Sequence, residues 1–243
     1  MQRAKTSSGV RRRIVGAILA SLIIAAPLSA GDVPGWKTHV ITDLYDEATS
    51  VLAVDLDADG DMDVLATSSA GDTVGWFESD GAATPTFTEH VLSTSARDPR
   101  AVQVADLDGD GDLDVMSAAL IGDTVAWHEN DGGSPPVFTM HVVSTEVWGV
   151  WDIHPEDLDG DGDTDMVIAA VLHQRVSWFE NVGGTPPEFV FHEISNNVKW
   201  AQAVHTADLD GDEDPDILSA SRQDGKVRSE EHTSELQSRP HIS

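Results

Sequence analysis

The nine residues from Asp106 to Asp114 read DLDGDGDLD, and close copies of this segment begin at Asp55, Asp157 and Asp208. The copies read DLDADGDMD, DLDGDGDTD and DLDGDEDPD, and each segment begins 51 residues after the one before it. Constant spacing over four copies indicates one structural unit repeated in tandem, with almost no insertion. The repeat therefore predicts a fold built from copies of one unit, and its aspartates are the first candidates for functional residues.

Other residue types keep the same period along the chain. They are His39, His90, His141 and His192, Trp76, Trp127 and Trp178, and Glu78, Glu129 and Glu180. One large aromatic ring in each unit suits packing between neighbouring units. A histidine at one fixed strand position in every unit suits a structural role better than a metal site or proton relay. We therefore expect both sets to belong to the scaffold.

Each unit contains four short runs with the composition of strands. In the second unit they are Ala101–Ala105, Val115–Leu120, Thr124–His128 and Phe138–Val143. The runs are rich in β-branched and aromatic residues, and glycine, proline and aspartate separate them, which favours strands over helices. Four strands in a repeat of about 50 residues are typical of a propeller blade. We therefore predict an all-β fold, a β-propeller of four-stranded blades.

The first 30 residues have the composition of a secretory signal peptide. Five basic residues precede the apolar run Ile14–Ala26, and small residues follow at Ser29 and Ala30. The apolar run is too short to span a bilayer comfortably. We predict cleavage after Ala30 and a mature protein that is secreted to the extracellular space, the cell surface or the periplasm. A retained membrane anchor is the alternative interpretation.

The last residues break the repeat. Arg228–Ser243 begins RSEEHTSELQS, which resembles the in-frame translation of a sequencing adapter. The repeat register holds through Val227, but Ser229 stands where the period predicts tryptophan. We therefore predict a break after Val227 and a non-native tail at 228–243; a genuine polar tail is the alternative.

The predicted organisation is a leader at 1–30, repeats at 31–227 and the tail at 228–243. The repeats comprise three full units, a partial fourth, and an N-terminal strand at Trp36–Ile41 that aligns only with the fourth strand of a unit. These features predict a fragment of a longer propeller. A small closed ring of four blades is the alternative, because four-bladed propellers exist.

The aspartate segments predict calcium sites. Alternating carboxylates on a tight loop can converge on one centre, and Ca²⁺ takes six to eight oxygen ligands. Glycine at the sixth position of the first three segments permits the left-handed backbone that folds a loop around an ion. Fewer carboxylates would suit Mg²⁺, and a solvated acidic turn without metal is the other alternative. The segments are not EF-hands, because the twelfth position of each lacks glutamate and the flanking residues are predicted to form strands rather than helices.

We predict up to four Ca²⁺ ions, one in each segment. The predicted ligands are Asp55, Asp57, Asp59, Asp61, Asp63, Asp106, Asp108, Asp110, Asp112, Asp114, Asp157, Asp159, Asp161, Asp163, Asp165, Asp208, Asp210, Asp212, Asp214 and Asp216. The residue at position seven, such as Asp112, would contribute its backbone carbonyl. We expect the fourth site to be the weakest, because Glu213 replaces the glycine and Pro215 follows Asp214.

Composition excludes several classes of function. The chain has 14 Lys and Arg residues against 43 Asp and Glu residues, a formal charge of −29, and no cysteine. Nucleic-acid binding and docking on anionic lipid both need clustered basic residues. Disulfide scaffolds, thiolate metal sites and cysteine nucleophiles need cysteine. The sequence also contains no nucleophile elbow and no phosphate-binding glycine loop.

The aspartate segments, the V-x-W-x-E-N pattern at Val125–Asn130 and the 51-residue period resemble the FG-GAP/VCBS repeat family, the repeats of integrin-alpha-type propellers. The resemblance covers residues 36–227. It implies calcium loops between the first two strands of each blade, and about seven blades in closed members. Because one fold hosts many functions, it does not name a ligand.

We expect a non-enzymatic binding or adhesion module whose partner is an extracellular protein or a glycan. Trp148, Trp151 and Trp200 break the repeat pattern, so they could stack on sugar rings at a rim or serve as structural residues. The alternatives are a lectin and the propeller part of a calcium-dependent polysaccharide lyase. A lyase needs a base and a charge-stabilising cation in one cleft. Its candidate cations are Arg97 and Arg100, which have no basic counterpart in the aligned repeats.

Overall fold

The computed structural model describes residues 37–231, and the chain divides into two compact units, Met1–His39 and Val40–Ser243. All the strands of the described residues belong to the second unit. They are β1 Ala48–Val54, β2 Asp63–Ser68, β3 Thr73–Ser79, β4 Phe87–Ser93, β5 Pro99–Ala105, β6 Asp114–Ala119, β7 Val125–Asn130, β8 Phe138–Ser144, β9 Val150–Glu156, β10 Asp165–Ala170, β11 Arg175–Gly184, β12 Pro187–Ser195, β13 Ala201–Ala207, β14 Asp216–Ser221 and β15 Lys226–Glu230. The predicted leader at 1–30 lies outside the described residues.

The strands form four antiparallel sheets in chain order. β1–β4, β5–β8 and β9–β12 form the first, second and third sheets, and β13–β15 form a three-stranded fourth sheet. Every neighbour in a sheet is also a neighbour in sequence, so each repeat folds as an up-and-down meander. Residues 37–231 contain no helix, and hence none long and apolar enough to cross a membrane. The all-β prediction is confirmed for this part of the chain.

The strand predictions for the second unit are confirmed to within two residues at each boundary. The differences concern one or two residues at strand ends, and they include Pro99 and Asn130, which pair in the sheet although they resemble turn residues. The predicted strand at Trp36–Ile41 is wrong across the described residues 37–41, which form no strand. A strand needs a hydrogen-bonded neighbour, and no described strand pairs with this segment.

β15 continues through Glu230, so it includes the first three residues of the segment predicted to be a non-native tail. Arg228 and Ser229 pair with Ser219 and Leu218 of β14. Residues 232–243 of that segment lie outside the described part of the chain.

The apolar core lies between consecutive sheets. Trp76 of the first sheet is buried in one cluster with Val102 and Val115 of the second. Trp127 of the second sheet packs in the same way with Met166 and Ile168 of the third. Trp178 of the third sheet packs with Val204 and Ile217 of the fourth. The predicted role of the repeated tryptophans is confirmed. Each large apolar side chain buried in this way contributes about 1.5–3 kcal/mol.

The repeated histidines support these tryptophans. The rings of His90, His141 and His192 stack on Trp76, Trp127 and Trp178, with centroids 4.4, 4.6 and 4.7 Å apart. Each histidine also forms a hydrogen bond with the glutamate two residues after its tryptophan, as His90 Nε2 does with Glu78 Oε2 at 2.7 Å. These contacts confirm the expected structural role of the three histidines.

Candidate metal centres

Each aspartate segment forms a loop between the first and second strands of its sheet, as the resemblance implied. The glycine at the sixth position has a positive φ in the first three loops: 96° at Gly60, 97° at Gly111 and 99° at Gly162. L-residues with a side chain rarely adopt this conformation. The predicted role of the glycine is therefore confirmed.

Carboxylates inside each loop accept hydrogen bonds from the backbone of the same loop. In the second loop, Asp106 Oδ2 accepts from Gly111 N–H at 3.0 Å, and Asp108 Oδ1 accepts from Asp110 N–H at 3.2 Å. The other three loops repeat both bonds. These contacts fold the chain into a tight turn and fix the direction in which each carboxylate points.

The ninth aspartate ties the loop to the rest of its sheet. Asp114 is fully buried, and its Oδ2 accepts from Leu107 N–H at 3.0 Å while its Oδ1 accepts from Asn130 N–H at 2.8 Å. Asp165 makes the equivalent bonds with Leu158 and Asn181. A buried carboxylate needs such partners, so this residue holds both ends of the loop.

Three carboxylates in each loop converge, with ligand oxygens that all lie within 4.8 Å of one another. The groups are Asp55, Asp57 and Asp59; Asp106, Asp108 and Asp114; Asp157, Asp159 and Asp165; and Asp208, Asp210 and Asp216. The first loop uses positions one, three and five, whereas the other loops use positions one, three and nine. The other predicted ligands, Asp61, Asp63, Asp110, Asp112, Asp161, Asp163, Asp212 and Asp214, lie outside these groups.

The seventh carboxylate turns away from the group. In the first and second loops the carboxylates of Asp61 and Asp112 lie against Gly81 and Gly132, which have positive φ values of 61° and 63° in the turn after the third strand. A side chain at either glycine would collide with the carboxylate. The side chains at position seven of these two loops are thus directed towards the turn, and the backbone-carbonyl ligand stays a prediction.

Burial and neighbouring charges disfavour the ionised form of the ninth aspartate. Burial first, and then the charges of Asp108 and Asp110, raise the pKa of Asp114 to about 7, although backbone hydrogen bonds act in the opposite direction. Asp165 behaves in the same way, and its pKa is also raised to about 7. Clustered like charges repel unless a cation lies among them. In the second and third loops a bound cation would favour the ionised form of these two carboxylates.

The donor set fits a hard divalent cation. Every converging ligand is a carboxylate oxygen, and Asp55 Oδ1 is buried without a hydrogen-bond partner among the described residues. All-oxygen sites suit Ca²⁺ or Mg²⁺ rather than a transition metal. Three carboxylates in one tight loop could hold such a cation.

The fourth loop departs from the others. Glu213 adopts a φ of 74° at the position that the other loops give to glycine. Two of its three converging aspartates, Asp208 and Asp210, are exposed, whereas their counterparts in the second and third loops are partly buried. The lower affinity expected of this site stays a prediction.

Asn130 and Asn181 connect neighbouring loops, a role that the sequence analysis missed. Asn181 Nδ2 donates to the carbonyl of Leu107 at 2.8 Å, in the loop of the preceding sheet, and to Thr164 O at 3.2 Å in its own loop. Asn130 Nδ2 donates in the same way to Leu56 O at 3.3 Å. The recurrence of asparagine at a 51-residue interval was the available signal.

These observations define a class of protein: tandem four-stranded sheets, each with a carboxylate loop after its first strand. The model of the FG-GAP-like repeat family matches residues 55–117 and 157–219, just over half of the chain, and the chain belongs to this family. Each matched segment begins at the first aspartate of a loop and ends in the second strand of the next sheet. The resemblance found in the sequence is thus confirmed.

No curated protein sequence matches the chain. Among solved structures, an Agrocybe aegerita lectin that recognises non-reducing terminal N-acetylglucosamine is similar, with a TM-score of 0.49, 19% identity, and coverage of 75% of this chain and 52% of the lectin. The V. cholerae biofilm matrix protein Bap1 is similar with a TM-score of 0.41, 17% identity, and coverage of 79% and 32%. The chain thus spans about half of the first structure and a third of the second.

Proposed function

We propose that this chain is a secreted, calcium-stabilised binding module that engages a glycan or an extracellular protein at the end of its sheets opposite the aspartate loops. The observation that carries the proposal is the separation of two kinds of surface. The aspartate loops occupy one end of every sheet, whereas exposed tryptophans and nearly all the described basic residues lie at the other.

The opposite end, which we call the linker end, is formed by the connections between consecutive sheets and by the turns between second and third strands. Each connection contacts the turn of the sheet that follows it. In the third sheet Val171 N–H donates to Gly149 O at 2.8 Å, and in the fourth Arg222 N–H donates to Trp200 O at 3.0 Å. The first strand of each sheet starts at the linker end and runs into the aspartate loop. The two surfaces therefore lie a full strand length apart.

Two tryptophans are exposed at the linker end. Trp148 is 56% exposed, and its ring stacks on His173 with centroids 4.8 Å apart. Trp200 is 39% exposed, and the Arg222 guanidinium lies 5.7 Å from its ring centroid. Tryptophan and arginine are the residues that most often dominate binding energy at interfaces. An aromatic face with adjacent hydrogen-bond donors also suits a sugar ring, which has apolar faces and polar edges.

The basic residues of the sheets cluster at the same end. Of the eight lysines and arginines in residues 37–231, seven lie in linkers, in turns or within three residues of a strand start at the linker end: Arg97, Arg100, Arg175, Lys199, Arg222, Lys226 and Arg228. In a chain with a net charge of −29 these basic residues offset the acidic residues that the linker end also carries, such as Asp72, Asp98 and Asp123. A ligand with acceptor oxygens would therefore approach the linker end more readily.

Binding at the linker end is tested by Trp148→Ala and Trp200→Ala on a glycan array and on extracellular matrix proteins. We expect each substitution to weaken binding by tenfold or more, since an aromatic anchor contributes about 2 kcal/mol or more. Met62→Ala, at an exposed position of the first aspartate loop, is the matched control and should bind normally. Equal binding by all three variants would refute the proposal.

Calcium stabilisation is tested by thermal unfolding with and without a chelator. We expect the midpoint to fall on chelation, because the converging carboxylates then repel one another without a cation. Asp108→Asn should reduce the calcium-dependent gain, whereas Asp80→Asn, an exposed carboxylate outside the loops, should not. An unchanged midpoint on chelation would refute the calcium proposal.

We also propose that the four sheets are consecutive blades of a longer propeller. Leu209 is 51% exposed, although its counterparts Leu56, Leu107 and Leu158 are buried against the next sheet. Val227 is 79% exposed, whereas its counterpart Val176 is fully buried. A further blade would cover both residues. Sequencing the source DNA across the codon for Val227 tests this, because a continuing reading frame of x-Trp-x-Glu-Asn supports the fragment and an encoded Arg228–Ser243 contradicts it.

The lyase alternative gains no support from the arginine that the sequence singled out. The Arg100 guanidinium lies 2.6 Å from Asp98 and 4.7 Å from the ring centroid of Trp151, so its charge is already paired within the fold. Degradation assays on pectins and other uronates distinguish the two functions. Turnover that Arg100→Ala abolishes would favour the lyase over the binding module.

A further inference from the structure

Two histidines face each other where the third and fourth sheets meet. His154 lies on β9 and His205 on β13, and the two residues hold the same position in successive repeats. Leu52 and Gln103 hold this position in the first and second repeats. The histidine pair is therefore not required by the repeat scaffold, unlike the histidines that stack on the repeated tryptophans.

We propose that His154 and His205 form a binding site for a transition-metal cation of the Zn²⁺ type, separate from the aspartate loops. Their Nδ1 atoms lie 3.4 Å apart. Two nitrogen ligands at about 2.0–2.1 Å from a tetrahedral zinc ion are about 3.4 Å apart. The distance between the two imidazoles is thus the one that a shared ion requires.

The same distance is poor for a direct hydrogen bond, for which about 3 Å is usual. The rings are inclined at 73° with centroids 4.3 Å apart, so they converge edge to face rather than stack. Two imidazoles that share one ion approach it from different directions, as these two rings do. Imidazole nitrogen also prefers Zn²⁺, Cu²⁺ and Ni²⁺ to the Ca²⁺ and Mg²⁺ that oxygen ligands favour.

Contacts on both sides of the pair hold the two strands in place. Asp152 Oδ2 accepts from Val204 N–H at 3.0 Å, two residues before His154 on the same face of β9. Two residues after His154, the Glu156 carboxylate accepts a hydrogen bond from Thr206 Oγ1 of β13. The strands are therefore fixed above and below the histidines, which limits the cost of ordering the site.

Water is the candidate for the remaining ligand positions. Among the described residues, no third His, Cys, Asp or Glu brings a ligand atom within 4.8 Å of both imidazoles. Glu156 shares a face of β9 with His154, but its carboxylate accepts from Thr206 Oγ1. A site of two imidazoles leaves positions at which water can exchange.

The test is a Zn²⁺ titration by calorimetry on the untagged full chain, with Ca²⁺ in excess so that the carboxylate loops are occupied. We expect one Zn²⁺ per chain. His154→Gln and His205→Gln should each weaken binding by about tenfold or more, as losing a ligand does. Glutamine is the appropriate replacement because Gln103 already occupies the same position in the second repeat.

His173→Ala is the matched control, since this histidine lies at the linker end and stacks on Trp148. It should leave Zn²⁺ binding unchanged, and circular dichroism should show that all three variants are folded. No Zn²⁺ binding by the wild-type chain in excess Ca²⁺ would overturn the proposal. Binding that survives both glutamine substitutions, or that depends on only one of the two histidines, would overturn it as well.

Discussion

At position 128 the second sheet has a histidine where the first and third sheets have Phe77 and Phe179. The His128 ring is buried, its Nε2 lies 3.1 Å from Ser117 Oγ, and its Nδ1 has no hydrogen-bond partner among the described residues. Burial first, and then the proximity of His141, lowers the pKa of His128 to about 4. The folded state therefore rejects a proton that the unfolded chain accepts near pH 6.5.

This difference predicts an acid-sensitive residue. Above pH 6.5 the histidine is neutral in both the folded and the unfolded state, so the free energy of unfolding is at its full value. As the pH falls from about 6.5 towards 4, only the unfolded state gains the proton, and the free energy of unfolding decreases. The His128→Phe/Ser117→Ala double variant should remove the loss, which is on the order of 3 kcal/mol. The alanine matches Ala66 beside Phe77, so no hydroxyl is left without a partner.

The measurement is the free energy of unfolding in denaturant at pH 7.5 and pH 4.5 for the wild type and the double variant. Acid affects the aspartate loops of both proteins equally, so the difference between the two proteins isolates His128. An equal loss of stability on acidification in both would contradict the prediction.

Glu213 offers a second test at the residue scale. Its positive φ is strained for a residue with a side chain, at a cost of roughly 1–2 kcal/mol. Glu213→Gly should relieve most of that strain and increase the calcium affinity of the fourth loop. Glu213→Ala removes the same charge but keeps the strain. The glycine variant should therefore bind calcium in the fourth loop more tightly than the alanine variant. Calcium calorimetry on the two variants measures the difference, and equal affinities would refute the strain argument.

At the scale of strands and sheets, the asparagine link between neighbouring loops makes the sheets depend on one another. Asn181→Ala leaves two carbonyls, of Leu107 and Thr164, without this donor. A buried group that loses its partner costs about 1–3 kcal/mol. We expect the free energy of unfolding to fall by that amount.

Ser79→Ala is the control, because Ser79 holds the equivalent position in the first sheet and donates no bond to a preceding loop. Its loss should be clearly smaller than that of Asn181→Ala in the same denaturant titration. Similar losses in the two variants would show that the bond between the sheets adds nothing.

The sequence predicts the strands and the loop backbone well because both depend on local patterns. Alternation and turn residues locate the four strands of a unit, and glycine at the sixth loop position predicts its left-handed conformation. The partners of Asn181 and His205 were not predictable in this way, because they lie in a neighbouring repeat. The sequence also did not predict which carboxylates of a loop converge. The burial of Asp114 depends on Asn130 of the third strand, which is distant from the loop in sequence.

At the scale of the whole molecule, charge determines how the protein responds to salt. The chain has a net charge of −29, and the carboxylates concentrate at the ends of the sheets that carry the loops. Without calcium this end repels itself, and the repulsion is screened as the Debye length falls from about 30 Å in 0.01 M salt to about 3 Å in 1 M salt. Added NaCl should therefore raise the unfolding midpoint of the chelated protein.

The same addition should change the midpoint of the calcium-loaded protein much less, because bound cations have already offset the repulsion. Differential scanning calorimetry across the salt series measures both effects. Parallel shifts with and without calcium would show that the loops are not the main source of the repulsion.

The asparagine link also bears on how such a chain can evolve. The bonds from Asn130 to Leu56 and from Asn181 to Leu107 each span 74 positions, so donor and acceptor recur together with the repeat. If unequal crossing-over deleted one 51-residue unit, Asn181 would meet Leu56 through the same contact. A chain of this kind could therefore lose or gain a whole unit without a new interface between its sheets.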